Sequence, residues 1–330
     1  MHFFSYRILS KHETSKYKIY SNIALTIKAI EISKQGPAEV MQWVEKTLPK
    51  PPIGQVTIKH TYVGINYIDT YHRSGLYPLN LPSGLGMEGV GIVIESNTSS
   101  NNIFKVGDRV AYGLGPPGSY SEARNIEESK LIKIPDFVKD EEAASLMLKG
   151  MTVEYLLERT FKVTSSHTVL LHAAAGGVGL LACQWLKHIG AKVIGTVGSE
   201  EKAALAKKSG CDNVILYRGE SFDKKVLEIT DGKGVDVVYD GVGKDTAMMS
   251  LNCLKPLGML VLFGNSSGNS PAIDPSILAS KGSLFLTRPT LMNYCAARED
   301  MVNSANRVFD LIKSSHITPS IGRIMALSDI

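Results

Sequence analysis

One stretch limits what this chain can fold into more than any other: Thr168-Val-Leu-Leu-His-Ala-Ala-Ala-Gly-Gly-Val-Gly-Leu-Leu-Ala-Cys-Gln-Trp-Leu-Lys187. A β-branched, apolar run from Thr168 to His172 enters a glycine turn, and a helical pattern leaves it. Ala174-x-Gly176-x-x-Gly179 has the spacing of a dinucleotide-binding fingerprint, with Ala at the position where Gly is commoner. Small residues let the turn close, Gly176 lets backbone N–H groups approach a pyrophosphate, and Gly179 lets the helix lie against the strand. The helix N-terminus then faces the phosphates with its partial positive charge.

The sequence that follows repeats the alternation of strand and helix. Lys192–Val197 reads as a second buried strand, and Ser199 to Lys208 as an amphipathic helix capped by Ser199 and ended at Gly210. Asn213–Tyr217, Val235–Asp240 and Met259–Phe263 read as third, fourth and fifth strands. Such alternation calls for parallel strands joined by right-handed crossovers, a doubly wound nucleotide-binding (Rossmann) domain in an α/β protein. The second strand also bears on which nicotinamide fits. A site for the unphosphorylated nucleotide carries Asp or Glu about 20 residues beyond the glycines, on the ribose 2′-hydroxyl. Here the strand ends Gly195-Thr-Val-Gly-Ser199 without a carboxylate, and Lys202 follows. A lysine attracts a 2′-phosphate that a carboxylate would repel, so NADPH is the expected cofactor.

A chain of 330 residues suggests two domains, because single cores stop growing near ~250–300 residues. With 44% hydrophobic and 21% charged residues, the composition is that of an ordinary globular protein. A net charge of +4 points to no polyanionic partner, and no apolar run approaches the roughly 18 residues of a membrane span. Cys183, Cys211, Cys253 and Cys295 lie far apart in sequence, which gives no zinc knuckle or redox pair and suits a reducing compartment.

Residues 1–26 read as a basic, acid-poor extension, either a poorly ordered terminus or an organelle presequence. Ile27–Ile32, Val40–Val44, Gln55–Val63, Gly89–Glu95 and Arg109–Ala111 read as short strands between Gly/Pro turns, hence a partly open barrel or sandwich. Asp140–Leu148 and Gly150–Arg159 read as helices, as does Arg298–Ser314.

In this order the chain carries Gly64-Ile-Asn-Tyr-Ile-Asp-Thr-Tyr71, Arg73-Ser-Gly-Leu-Tyr77, Pro82-Ser-Gly-Leu-Gly-Met-Glu-Gly89, Val106-Gly-Asp-Arg-Val110 and the glycine turn. Tyr239-Asp-Gly-Val-Gly243, Phe263-Gly-Asn-Ser-Ser-Gly268 and Gly282-Ser-Leu-Phe-Leu-Thr-Arg-Pro289 follow. Together these motifs resemble the zinc-free quinone oxidoreductases, zeta-crystallin among them, of the medium-chain dehydrogenase/reductase superfamily. The resemblance implies a GroES-like catalytic domain over 27–149 and 290–330, and a Rossmann domain over 150–289. It also implies a further helix, a last strand and a 2′-phosphate arginine beyond Ile330, where this sequence ends.

The resemblance implies electron transfer from NADPH to quinones in an interdomain cleft without metal, and leaves open one-electron, semiquinone-forming steps. In zinc-dependent relatives a cysteine stands at the place of Asn66 and a histidine at that of Met87, beside Glu88. Neither ligand is present here, so no metal is expected. Carried over residue by residue, Asn66, Tyr71 and Arg73 are the expected catalytic positions, the latter two flanking the acceptor. Tyr67 is placed at the nicotinamide. Lys149, Thr152 and Tyr155 are placed near the pyrophosphate and nicotinamide ribose, and Gly176, Gly177 and Val178 form the phosphate turn. Gly198, Ser199, Lys202 and Tyr217 surround the 2′-phosphate, while Phe263, Asn265 and Ser266 hold the nicotinamide end. Asp69 and Glu88 read as structural acceptors and His172 as a core histidine. Two other readings stay open: an NADPH-dependent reductase of alkenals or enones, and an NADPH-binding structural or RNA-binding protein. No basic, aromatic-interleaved stripe supports nucleic-acid binding. The resemblance further implies a homodimer joined through the nucleotide domains, in the cytoplasm.

Overall fold

A computed structural model describes residues 5–7, 24–98, 103–217 and 221–330. The chain divides into two compact units, residues 1–148 with 321–330, and residues 149–320.

The first unit is antiparallel. Its strands are β1 (Ser5–Arg7), β2 (Leu25–Ile32), β3 (Gln42–Leu48), β4 (Gln55–Gly64), β5 (Ser83–Gly84), β6 (Glu88–Asn97), β7 (Arg109–Tyr112), β8 (Ala123–Glu127) and β9 (Ile132–Lys133). One sheet runs β1-β4-β6-β7-β9, with β8 also on β4, and a second runs β3-β2-β5. Val56, Ile58, Val93, Phe104 and Val110 fill the first sheet's core, and Ile30, Ile32, Val63 and Leu85 a second cluster. Two parts of the residue 1–26 extension are structured: Ser5–Arg7 pairs with Gly64–Tyr62 of β4, and β2 starts at Leu25. The remainder of that reading, on residues 1–4 and 8–23, lies outside the described residues.

The second unit holds β10 (Thr168–Leu171), β11 (Lys192–Val197), β12 (Asn213–Leu216), β13 (Val235–Asp240), β14 (Leu254–Leu262) and β15 (Phe285–Thr287). Their parallel order β12-β11-β10-β13-β14-β15 is the doubly wound 3-2-1-4-5-6 arrangement, whose order reverses between β10 and β13. Val169, Leu170, Val193, Ile194, Val237 and Val238 are fully buried, as strands covered on both faces require.

Helix α1 (Tyr67–Ser74) follows β4, and α2 (Asp140–Ala143) precedes α3 (Met147–Glu154), which continues as a π-helical turn over Tyr155–Thr160. The unit boundary falls inside α3. Helices α4 (Gly177–Ile189), α5 (Glu200–Lys208) and α6 (Phe222–Ile229) form the first crossovers, with α7 (Ala247–Ser250), α8 (Pro275–Ser280), α9 (Leu291–Tyr294) and α10 (Arg298–Lys313) beyond them.

Three expectations are corrected. Residues 290–320 belong with the nucleotide unit rather than with the β-rich one. There Ser304 Oγ donates to Glu154 at 2.6 Å, Arg307 Nε donates to Glu158 at 2.9 Å, and Gln184 exchanges two hydrogen bonds with the Thr318 backbone. The strand expected at Val40–Val44 starts at Gln42, after a 3₁₀ turn over Ala38–Val40. The fifth strand starts at Leu254 rather than Met259, passing Leu257 at φ +64° with a register shift opposite Val235 and Val237. Tyr71 lies on α1.

Candidate active site

In the nucleotide unit every expected cofactor position except those on α3 and its π turn lies at a strand's C-terminal end, where ligands of doubly wound sheets bind. After β10 the chain passes through Ala173 at φ +52°, a left-handed conformation that an alanine adopts only under constraint. Two hydrogen bonds hold it: Gly176 N–H donates to the Ala173 carbonyl at 2.7 Å, and Ala174 N–H donates to Thr196 of β11 at 3.1 Å. Gly176 is the residue before α4, and Gly177 and Val178 open it. The amides of a first turn have no intrahelical acceptor, so this end presents donors to an anion. A methyl built at Gly179 would stand 2.4 Å from the Ala173 carbonyl oxygen and 2.7 Å from the Ala174 carbonyl. Only glycine lets α4 pack this closely on the turn.

At the end of β11, Ser199 Oγ accepts from the Lys202 N–H at 3.3 Å and starts α5. A methyl on Gly198 would meet the Tyr217 hydroxyl at 2.7 Å, so the structure brings Gly198, Ser199, Lys202 and Tyr217 together. No carboxylate pairs with Lys202 among the described residues, and Tyr217 is 49% exposed.

The loops after β13 and β14 are zipped together. Phe263 N–H donates to the Asp240 carbonyl, Ser266 N–H to that of Gly241, Ser267 N–H to that of Val242 and Lys244 N–H to that of Gly268. Asp240, fully buried, is the organising group. Its carboxylate accepts from the Val242 and Gly243 amides at 2.8 and 3.0 Å, from Thr246 Oγ1 at 2.7 Å, and from Ser250 Oγ at 3.2 Å. Sequence reasoning missed it, although an acid followed by Gly-Val-Gly and a threonine is the signal for such a turn. Asn265 is 9% exposed and borders a groove of about 380 Å³ lined also by Leu262, Ile273, Leu286 and Arg288. His172 is buried; its Nδ1 pairs with Thr196 Oγ1 at 2.8 Å and its Nε2 with Ser250 Oγ at 2.9 Å. Burial lowers its pKa despite the Asp240 charge.

Lys149 and Thr152 are buried on α3, and Tyr155, on the π turn, stacks on Tyr294 with ring centres 4.5 Å apart. Tyr155 is only 2% exposed, so its ring is first of all part of that packed pair.

In the β-rich unit the expected residues share one helix. Asn66 precedes α1, and its N–H donates to the Asp69 carboxylate at 2.9 Å, while Gly75 at φ +88° ends the helix. The same Asp69 oxygen accepts from the Tyr120 hydroxyl at 2.6 Å. The Asn66 side chain donates from Nδ2 to Glu88 Oε2 at 2.8 Å. Tyr67 is 41% and Tyr71 8% exposed, packed edge to face with ring centres 5.4 Å apart. Arg73 is half-buried, and among the described residues no carboxylate pairs with it. Its neighbour His72 is buried, which lowers its pKa.

A zinc ion does not fit these residues. Met87 is 2% exposed in the core and Asn66 is committed to Glu88. No group of three or more His, Cys, Asp or Glu side chains converges among the described residues, whereas a catalytic zinc takes about three protein ligands.

With that geometry in place, similarity to known proteins is informative. Residues 52–136 match the family described as the alcohol dehydrogenase GroES-like domain, and residues 177–309 the zinc-binding dehydrogenase family. A quinone oxidoreductase of Pseudomonas aeruginosa is 47% identical over 92% of this chain and 93% of that protein. A 2-haloacrylate reductase of a Burkholderia species is 42% identical, over 92% of this chain and 93% of its own. The crystal structure of Escherichia coli quinone oxidoreductase complexed with NADPH superposes with a TM-score of 0.86 at 47% identity, covering 89% of this chain and 90% of that one. Together, the GroES-like and Rossmann units, the glycine turn and these likenesses establish that the chain belongs to the quinone oxidoreductase family of the medium-chain dehydrogenase/reductase superfamily.

Proposed function

We propose that this chain reduces quinones with NADPH. The observation that carries the reading is the adenosine end of the nucleotide unit: a glycine turn opening α4, and beside it Gly198, Ser199, Lys202 and Tyr217 with no carboxylate among them. That set suits a 2′-phosphate and lacks the acid that binds an unphosphorylated ribose. Gly176, Gly177 and Val178 hold the pyrophosphate; Lys149, Thr152 and Tyr155 serve the nicotinamide ribose. Phe263, Asn265 and Ser266 hold the nicotinamide end.

NADPH, when bound, supplies the reducing equivalents; the protein supplies placement and electrostatics. Asn66, Tyr71 and Arg73 belong to the acceptor side. Tyr71 donates a hydrogen bond, and the Arg73 guanidinium draws the negative charge that builds on a reduced ring oxygen. A quinone reduces readily under such help because its product is a stabilised phenolate, so no Lewis acid is required of the site.

The assembly is a homodimer through β15. Among the described residues this edge strand pairs with β14 alone and exposes Phe285 and Leu286 at 55% and 38%, with Leu257 at 67% nearby, the kind of apolar edge that a second copy covers. The chain works in the cytoplasm, a reading supported by four unpaired, buried cysteines. Among the described residues no helix is long and apolar enough to cross a membrane.

Turnover of 1,4-benzoquinone and 9,10-phenanthrenequinone with NADPH and with NADH tests the reading. A preference for NADPH of at least tenfold is expected, and absence of NADPH oxidation by any quinone overturns it. The likeness to the 2-haloacrylate reductase favours one alternative, reduction of activated C=C bonds. Robust turnover of 2-alkenals or 2-haloacrylate without quinone reduction would establish that alternative.

A further inference from the structure

We propose that Glu88 is a positioning residue whose carboxylate sets the orientation of Asn66. The inference rests on the reading above that Asn66 stands at the reacting end. Glu88 opens β6 and is completely buried. Its two oxygens divide their work: Oε2 accepts from Asn66 Nδ2 at 2.8 Å, and Oε1 accepts from the Leu148 N–H of α3 at 2.9 Å. The chain makes room for it. A methyl built on Gly64 would lie 2.2 Å from Glu88 Oε2 and 2.2 Å from the Ala144 carbonyl oxygen, so position 64 has to be glycine while the carboxylate sits there.

The consequence for Asn66 is directional. Its backbone N–H is held by Asp69 and its side-chain amide by Glu88, so neither torsion nor flip is free. With the NH₂ group turned to Glu88, the carbonyl Oδ1 is turned away from it as an acceptor. Donation to a carboxylate is a strong, charge-assisted hydrogen bond that further polarises the amide. Glu88 therefore fixes which end of the Asn66 amide the site receives.

A carboxylate suits this place because the Asn66 amide and the Leu148 N–H are both donors to it. Glu88→Gln keeps its bond from the Leu148 N–H only by turning its own N–H toward Asn66, which must then turn its amide over to accept it. Asn66→Asp sets two acceptors face to face. Combining E88Q with N66D restores the pattern in reverse: the glutamine amide donates to the new carboxylate and its carbonyl accepts from Leu148.

The experiment compares wild type, E88Q, N66D and E88Q/N66D for melting temperature, NADPH dissociation constant by fluorescence, and single-turnover reduction of 9,10-phenanthrenequinone at saturating NADPH. Each single change is expected to slow turnover roughly ten- to a hundredfold, the size of an unsatisfied buried charged hydrogen bond. The double variant is expected to recover at least half of that loss on a logarithmic scale, since contacting residues couple. If melting temperatures fall while turnover stays at the wild-type rate, Glu88 is merely structural and the proposal is overturned. A double variant no better than the worse single also overturns it. Should wild type reduce no quinone, the functional reading fails separately, and the same pattern is then sought in the NADPH dissociation constants. Recovery there supports the proposal and its absence refutes it.

Discussion

The two units shape their functional residues by opposite means. In the nucleotide unit the phosphate turn depends on what is missing: Gly179 has no side chain because the Ala173 and Ala174 backbone leaves no space for one, while a side chain at Gly198 would have to displace the Tyr217 hydroxyl. In the β-rich unit the arrangement depends on what is present. Asp69, Glu88, Tyr120 and Asn66 are all buried polar side chains that hold one another. Backbone donors suit an anion of fixed shape, whereas oriented side chains suit an acceptor whose charge changes during reaction. Adding an atom should therefore damage the first region, and removing one should damage the second.

The largest expected effect is at Gly179. Gly179→Ala forces a backbone shift between β10 and α4, costing on the order of 3 kcal/mol in stability. NADPH affinity measured by calorimetry should fall by about a hundredfold; retention of affinity would mean that the turn is softer than the contacts indicate. The opposite operation, Tyr120→Phe, deletes one oxygen and leaves Asp69 short of a donor, with an expected loss of ~2 kcal/mol in urea unfolding. An equal sensitivity to deletions around the glycine turn would break the contrast, and Asp240 is the place to look. It is a buried carboxylate holding loops in the nucleotide unit, and Asp240→Asn should loosen them by a similar ~2 kcal/mol.

Acid sharpens the same contrast. His60 in the β-rich unit is wholly buried, pairing with the Ser121 carbonyl at 2.7 Å and the Tyr112 hydroxyl at 2.9 Å. Burial holds its pKa down to about 3, with the nearby Arg124 charge acting in the same direction against the Ser121 hydrogen bond. Between the ordinary value of 6.5 and about 3, the unfolded chain takes up a proton that the folded chain refuses. Stability contributed by neutral His60 is thus complete above that window and declines as pH falls through it, by up to ~1.4 kcal/mol per pH unit. Unfolding of His60→Gln across this range should show a correspondingly flatter slope. The smallest effect is at Lys202: Lys202→Ala should weaken NADPH by about tenfold, roughly 1.4 kcal/mol, and leave NADH unchanged.

Legibility followed the same division. In the nucleotide unit β11 and β13 occupy the residues that their buried Val/Ile runs marked, Lys192–Val197 and Val235–Asp240, because strands covered on both faces read as continuous apolar segments. The β14 start was hidden by Pro256 and Gly258, two residues that normally interrupt a strand. In the β-rich unit α1 went unread, since Tyr67-Ile-Asp-Thr-Tyr-His-Arg-Ser74 carries few strong helix formers. Its signals were at the ends, with Asn66 before it, Asp69 at the third position and Gly75 after it. The residue types proposed for the acceptor side were visible in sequence, but their partners were not. Asn66 meets Glu88 from 22 positions away and Asp69 meets Tyr120 from 51, and nothing local announces such pairs. Where residues 290–320 pack was likewise decided by distant partners, Ser304 with Glu154 and Arg307 with Glu158.

The close approach of Gly198 to the Tyr217 hydroxyl carries a lesson for redesign. Converting such an enzyme to the cheaper, unphosphorylated coenzyme usually begins by grafting an acid onto the tip of the second strand. Here the graft's first carbon would land 2.7 Å from that phenol oxygen and push the half-exposed ring outward. The two positions are thus coupled, and an acid at 198 is best introduced together with a smaller residue at 217.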